Sequence, residues 1–308
     1  MDVSITYVPG EEREGYYVQS MVKRMWAVQI DMLKEIDAVC KRHDIKYYGW
    51  YGTLLGAVRH QGFIPWDDDI DLAMLRKDYE RFRYYCKTEL PKEWKISEKM
   101  YGFCILNTDV PRLDQKFLDK YHGCPLMTGI DIFCLDHIPR DKKEEESWLA
   151  LLGAIYTLFQ YWDSFEEDEE WAEGKWLQLK EIEKLTGHHF DYQYPIKEQL
   201  TFLAEKIEAV YEDESSDEVA NAMWLYEHRH CRYPREEFNR VTEVPFEDIM
   251  LPILEDYDLI CRVDYGDNYM VPVIDHAHNI YKEQMGILRD YFKNLGMDLP
   301  ECFDIAFE

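Results

Sequence analysis

Residues 62–74 read GFIPWDDDIDLAM, and four carboxylates, Asp67, Asp68, Asp69 and Asp71, fall within five positions of an otherwise apolar stretch. Like charges this close repel one another and resist burial, so a fold that keeps them must give them solvent, partners or a cation. The segment DIDLAM, 69–74, reads as a strand. Alternate residues of an extended chain share a face. Asp67, Asp69 and Asp71 are therefore expected on one side, with Ile70 and Leu72 packed into the core on the other. Carboxylates at that spacing suit a hard divalent cation, whose charge offsets their repulsion.

A further acid stands in GIDIFCLD, 129–136, also read as a strand. Asp131 lies between Ile130 and Ile132 and points away from the face those two bury. An acid inside an apolar strand is costly without a partner, and a neighbouring strand bearing Asp69 and Asp71 would supply one through metal. Upstream, IKYYGWYG, 45–52, reads as a strand entering a turn, and TLLGAVRH, 53–60, as a helix capped by Thr53. Gly52 and Thr53 would let backbone N–H groups approach a phosphate at that helix start, and Arg59 at its far end could clamp a phosphate oxygen, with His60 beside it. Each feature taken singly has an ordinary explanation: a solvated turn, a capped helix, exposed polar positions. Their order along the chain is what points to chemistry.

The remaining pattern gives the frame. Residues 16–43 carry apolar positions at helical spacing through Met21, Met25, Gln29, Leu33, Ile36 and Cys40. RKDYERFRYYCKTEL, 76–90, is a helix stopped by Pro91, and KISEK and FCILNT read as short strands. The fold expected is α+β: a mixed sheet with helices on it in residues 1–140, a largely helical insertion at 141–235 that would shape an acceptor site, and a C-terminal part at 236–308 that completes the core. The order strand, Gly-Thr, helix, loop, strand with D-x-D, later strand with Asp is that of nucleotidyltransferases related in fold to DNA polymerase β.

At these residues the match becomes narrower. YGTLLGAVRHQGFIPWDDDIDLAM resembles the signature of the LicD family, and so does GIDIFCLD, where that family usually has Pro at the position of Cys134. LPILEDYDLICRVDYGDNYMVP looks like its closing region, with Tyr265, Gly266 and Asp267 as the Tyr-Gly-Asp. The resemblance spans roughly residues 16–136 and 243–273. It implies transfer of phosphocholine from CDP-choline to a hydroxyl of a bacterial surface glycan such as teichoic acid or lipopolysaccharide, with release of CMP. Fukutin and fukutin-related protein, which move ribitol phosphate from a CDP carrier, are similar in the same core. On this reading Asp69, Asp71 and Asp131 hold Mg²⁺ or Mn²⁺, two ions in all, and carry the catalysis. Gly52, Thr53, Arg59 and His60 serve the substrate, Trp66 shapes the loop, and Asp67 and Asp68 fix it as hydrogen-bond acceptors.

Bulk properties limit the partners. The 308 residues carry a formal net charge of −27, which disfavours DNA or RNA as a partner. The first residues form no apolar leader, the eight cysteines form no C-x-x-C pair, and no run reaches membrane-span length, so reduced thiols and a cytoplasmic location are expected. Contact with a lipid-linked acceptor would then be peripheral. His188-His189, HRHC at 228–231 and HAH at 276–278 lack the paired spacing of a zinc finger and are read as non-metal. The alcohol carried could instead be ribitol, glycerol or ethanolamine. Two rival readings stay open: a nucleotidyltransferase acting on a small molecule or sugar, and an inactive choline- or glycan-binding module.

Overall fold

The computed structural model describes residues 9–163, 169–212, 216–274, 280–299 and 303. HAH at 276–278 and Cys302 lie outside them. A short hairpin, β1 (Glu11–Arg13) and β2 (Tyr16–Val18), precedes helix α1 (Ser20–Arg42). Residues 16–18, expected as the first turn of that helix, are thus a strand, because they pair with Glu11–Arg13 rather than with the next helical turn. Then follow β3 (Tyr48–Gly49), α2 (Tyr51–His60), β4 (Ile70–Leu75), α3 (Arg76–Glu89), β5 (Lys95–Lys99), β6 (Gly102–Leu106), α4 (Gln115–Lys120) and β7 (Gly129–His137). The helices α5 (Lys142–Tyr161), α6 (Glu169–Thr186) and α7 (Ile196–Glu208) come next. The chain continues through β8 (Glu218–Ala220), α8 (Ala222–Glu227), β9 (Tyr233–Pro234), β10 (Val241–Phe246), β11 (Ile249–Leu254), α9 (Tyr257–Tyr265) and α10 (Ile280–Asn294).

Among the described residues the main sheet has seven strands, ordered β3-β4-β7-β6-β5, with β8 on the far part of β7 and β9 beside β8. β4 and β7 run parallel at its centre, and every other pairing is antiparallel. The architecture is therefore α+β with a mixed sheet. Central strands buried on both faces are the driest part of such a sheet, and Ile70, Leu72, Ile130 and Ile132 are fully buried accordingly. One hydrophobic cluster joins α1, α2, α3 and the sheet to β10, β11, α9 and α10. A second lies among α5, α6, α7 and α8. The strands β8 and β9 fall inside the stretch expected to be helical, and their Val219 and Tyr233 belong to the first cluster.

Arg76, the first residue of α3, joins the two clusters. It is 1% exposed and donates to both oxygens of the equally buried Asp136 on β7, at 2.7 and 2.8 Å. Glu205 and Glu208 of α7 each accept from it at 3.4 Å, and the Tyr156 hydroxyl of α5 donates to Glu208 at 2.7 Å.

Candidate active site

The parallel register of β4 and β7 sets Asp71 directly opposite Asp131. Both side chains leave the same edge of the sheet centre, on the face that Ile70, Leu72, Ile130 and Ile132 do not occupy. Asp69 joins them from the residue before β4. Asp69, Asp71 and Asp131 each offer an oxygen within 4.8 Å of the others. A second set, Asp67, Asp68 and Asp69, meets the same measure. These are the two such groups among the described residues. β4 begins at Ile70, so Asp67–Asp69 belong to the loop before it rather than to a strand face. Asp67 is therefore placed by the loop, and not by alternation along the strand.

The loop is held from three sides. Trp26 Nε1 of α1 donates to the Asp67 carbonyl at 3.0 Å. The Gln29 amide, 1% exposed, donates to the carbonyls of Asp68 at 2.9 Å and Gly129 at 3.1 Å, and so ties the loop to the start of β7. Trp66 packs edge-on to Tyr16, with ring centroids 5.8 Å apart, and to His60 at 6.1 Å. Sequence reading placed Gln29 among the core positions of α1 and gave it no role at the site; nothing local distinguishes it from its neighbours.

Helix α2 begins at Tyr51, two residues before the expected Thr53 cap. Thr53 does not cap it. Its buried hydroxyl instead accepts from the Asp71 N–H at 2.8 Å, while the Trp50 N–H donates to the Asp71 carbonyl at 3.0 Å. Tyr51 adopts φ 39° to make this entry. The space above Gly52 is taken by Asp67: a Cβ there would stand 2.5 Å from its Oδ2. A carboxylate against a helix N-terminus is favoured by the exposed N–H groups and the helix dipole. Gly52→Ala is expected to push the Asp67 carboxylate aside while the fold holds, because only the end of a side chain must move. Turnover should fall on the order of tenfold to a hundredfold with little change in unfolding temperature, the scale set by small misplacements in a reacting site. Steady-state rates and a thermal melt on the same sample check this.

Arg59 and His60 close the far end of α2. Arg59 donates to the Tyr269 carbonyl at 2.9 Å and to His60 Nε2 at 2.8 Å, and His60 Nδ1 lies 2.9 Å from Glu14. This chain fastens α2 to the segment after α9. Burial lowers the Arg59 pKa from its ordinary value.

The electrostatics follow from crowding. Burial first, then the charges of Asp69, Asp131 and Asp67, push the Asp71 carboxyl well above the usual range. Burial and the neighbouring Asp68 raise Asp67 as well. Asp131 is raised by burial, and the hydrogen bonds of Tyr101 and Cys104 and the charge of Lys99 work against that rise. The Tyr101 hydroxyl donates to Asp131 Oδ1 at 2.8 Å. Burial, and after it the charges of Asp264, Asp71 and Asp67, raise the phenol of Tyr265, the first residue of the expected Tyr-Gly-Asp. Gly266 ends α9 with φ 79°, and Asp267 pairs with Arg262 at 2.7 Å. Tyr101 and Lys99 went unremarked in the sequence because nothing local ties them to Asp131; the antiparallel β5–β6–β7 packing brings them there.

The donor set of Asp69, Asp71 and Asp131 is all carboxylate oxygen, the chemistry preferred by hard divalent ions. Three like charges, partly shielded from water, fit such an ion and are poorly served without one. Elsewhere, the His228 ring stacks on Trp224 with centroids 5.5 Å apart, and His230 lies 6.0 Å from His228. The seven described cysteines are free and buried. No described helix is long and apolar enough to cross a membrane.

Comparison with known proteins converges on the same segment. The family model for the LicD/FKTN/FKRP nucleotidyltransferase domain matches residues 44–112. A protein of Haemophilus influenzae named lipopolysaccharide cholinephosphotransferase LicD is 26% identical over 252 residues, covering 80% of this chain and 90% of that one. An uncharacterized protein of Rickettsia typhi is 44% identical over 74 residues, 24% of each chain. Another, from Rickettsia prowazekii, is 47% identical over 47 residues, 15% of this chain and 18% of its own. The acid-bearing loop and β4 lie inside the matched domain, and the likeness to the Haemophilus protein runs along most of the chain; the chain is similar to the LicD family, most clearly over the segment that carries the acids.

Proposed function

We propose that this protein transfers a phospho-alcohol, phosphocholine in the first instance, from a CDP-linked donor to a hydroxyl of a bacterial surface glycan and releases CMP. The observation that carries the reading is the register that faces Asp71 with Asp131 and gathers Asp69 beside them, in a chain whose Haemophilus relative is named as a cholinephosphotransferase acting on lipopolysaccharide. Asp69, Asp71 and Asp131 would hold Mg²⁺ or Mn²⁺, and such an ion, when bound, offsets the charge that builds on the departing nucleotide.

The chain's own residues supply the rest. Thr53 and the Trp50 N–H pin the backbone of Asp71 on both sides, so its carboxylate is set before substrate arrives. Lys99, whose charge reaches Asp131, is a cationic side chain on hand for the donor's phosphates. Tyr101 and Cys104 orient Asp131 by hydrogen bonds, and Asp131 or a neighbouring carboxylate of the trio would take the proton of the attacking hydroxyl. The oxygen of that hydroxyl bonds to phosphorus as the bond to the CMP oxygen breaks, in line.

The test is a panel of CDP-choline, CDP-ethanolamine, CDP-glycerol and CDP-ribitol with Mg²⁺ and a lipopolysaccharide or teichoic-acid acceptor, with CMP as the readout. CMP release that needs both acceptor and metal is the expected result. Pyrophosphate release from CTP instead would make this a nucleotidyltransferase. Ligand binding that survives EDTA, with no turnover, would make it a binding module.

A further inference from the structure

The helical insertion holds a cavity of about 760 Å³, room for a small organic molecule. It opens between α5 and α7, beside the end of α6. Its apolar wall is Trp148 and Leu151 of α5, Leu203 and Ile207 of α7, and Val210 and Tyr211 just after α7. None of its described lining residues belongs to the acid trio or holds it. Trp148 and Leu203 sit in the second hydrophobic cluster, whereas Ile70 and Ile130 beside the acids sit in the first.

The polar groups of the wall are mostly spent on backbone. Trp148 Nε1 donates to the Ile207 carbonyl at 2.8 Å, the Ser147 hydroxyl to the Lys143 carbonyl at 2.8 Å, and the Thr186 hydroxyl to the Ile182 carbonyl at 2.7 Å. Burial, and after it the charge of Lys206, lower the pKa of the lining His188, so its ring is neutral near pH 7. The charged residues of the described lining are Lys143, Lys206 and Glu144. Elsewhere in the insertion Lys142, Lys184 and Lys197 each pair with an acid, at 2.7, 3.5 and 2.8 Å. Lys143 and Lys206 make no ion pair among the described residues, and Lys206 Nζ stands 4.2 Å from the Phe202 ring centroid. The chain has 62 acidic residues against 35 Lys and Arg, so ammonium groups without an acid are unexpected, and here two of them border one apolar cavity.

We propose that this cavity binds a small amphipathic anion, a single phosphate or carboxylate on a hydrocarbon body. The hydrocarbon would lie against Trp148, Leu151, Leu203 and Ile207, and the anion at Lys143 and Lys206. A sugar or polyol matches the wall poorly, because each buried hydroxyl needs a partner and the wall's donors are taken. A bare inorganic anion would leave the apolar wall wet, and a cation would meet two like charges against one acid. The site is separate from the transfer reading and stands or falls without it.

Isothermal titration of the whole protein with decyl phosphate, decanoate, decanol and inorganic phosphate, below micelle-forming concentrations, tests the site. Both decyl anions should bind at a single site about tenfold more tightly than decanol, the scale of two partly solvated charge contacts, and inorganic phosphate should give no measurable heat. The tighter of the two anions identifies the preferred head group. The double variant Lys143→Gln, Lys206→Gln should weaken both anions to the level of decanol and leave decanol as before. Ser147→Trp, a change at an exposed position on the rim, should block all three hydrocarbon ligands, and thermal melts verify that each variant folds. Absence of anion binding by wild type overturns the proposal, as does decanol binding equal to that of the anions. Wild-type affinity for decyl phosphate in either folded variant overturns it too.

Discussion

Replacing Asp71 by Asn is expected to abolish the proposed transfer and, in metal-free buffer, to raise the unfolding temperature. Asp71 is the most crowded of the acids: burial and the charges of Asp69, Asp131 and Asp67 all oppose its ionised form. In water near neutral pH that repulsion is a standing cost to the folded state, because the unfolded chain spreads the same charges apart. Asn keeps the shape and removes the charge, so the gain should appear as a rise of about 2–4 °C, the size expected for on the order of 1 kcal/mol in a chain this long. Added Mg²⁺ should stabilise wild type, by about 2.7 kcal/mol at a hundredfold excess over its dissociation constant, and should move the variant far less. Turnover should fall at least 10²–10³-fold, roughly the weight of one preorganised electrostatic contact in a reacting site. Calorimetry with and without EDTA, beside a CMP-release assay, measures all three. A variant that turns over normally, or that gains as much from Mg²⁺ as wild type, would show that Asp71 does not serve the ion.

Arg76→Ala should produce the largest loss of stability of any single change considered. The guanidinium is 1% exposed, grips Asp136 with two bonds, and reaches Glu205 and Glu208. Burial first, and then Asp136, already push the Glu208 carboxyl up against the opposing pull of Arg76 and the Tyr156 hydroxyl. Removing Arg76 leaves two buried acids facing each other with no cation between them. Breaking a buried pair in this way costs about 3–5 kcal/mol, whereas replacing both partners with apolar groups is far milder. Urea unfolding should therefore rank Arg76→Ala well below the double variant Arg76→Met, Asp136→Leu. A cost under about 1 kcal/mol for the single change would mean that solvent or rearrangement satisfies the acids, since that is the range of exposed pairs.

Why some of this could be read from sequence and some could not comes down to the range of the forces involved. Asp71 and Asp131 each stand between two isoleucines or leucines, and alternation along a strand leaves an acid there one direction to face. That is a local rule, and it places the β4 and β7 acids where they are found. Thr53 shows the opposite case. Read locally it is a helix cap; folded, its hydroxyl is drawn to the Asp71 N–H eighteen residues on, and the helix starts earlier at Tyr51. Gln29 and Tyr101 reach the site across 39 and 30 residues, respectively, through hydrogen bonds that no spacing encodes. The strand β2 was hidden because Tyr16, Tyr17 and Val18 continue the apolar pattern of α1, and only pairing with Glu11–Arg13 separates them.

The two central acids hang from facing rungs of one parallel ladder, so their separation is set by the backbone spacing between neighbouring strands, about 4.8 Å. Loops do not determine it. The connection between Leu75 and Gly129, and everything after His137, can therefore lengthen, shorten or be rebuilt without retuning the distance between those carboxylates. A slip of a single residue in the pairing would be another matter, since it would offset Asp131 from Asp71 and break the match for any bound ion. A chain built this way is free to vary widely in what it grips at its periphery, while the spacing at its centre stays put.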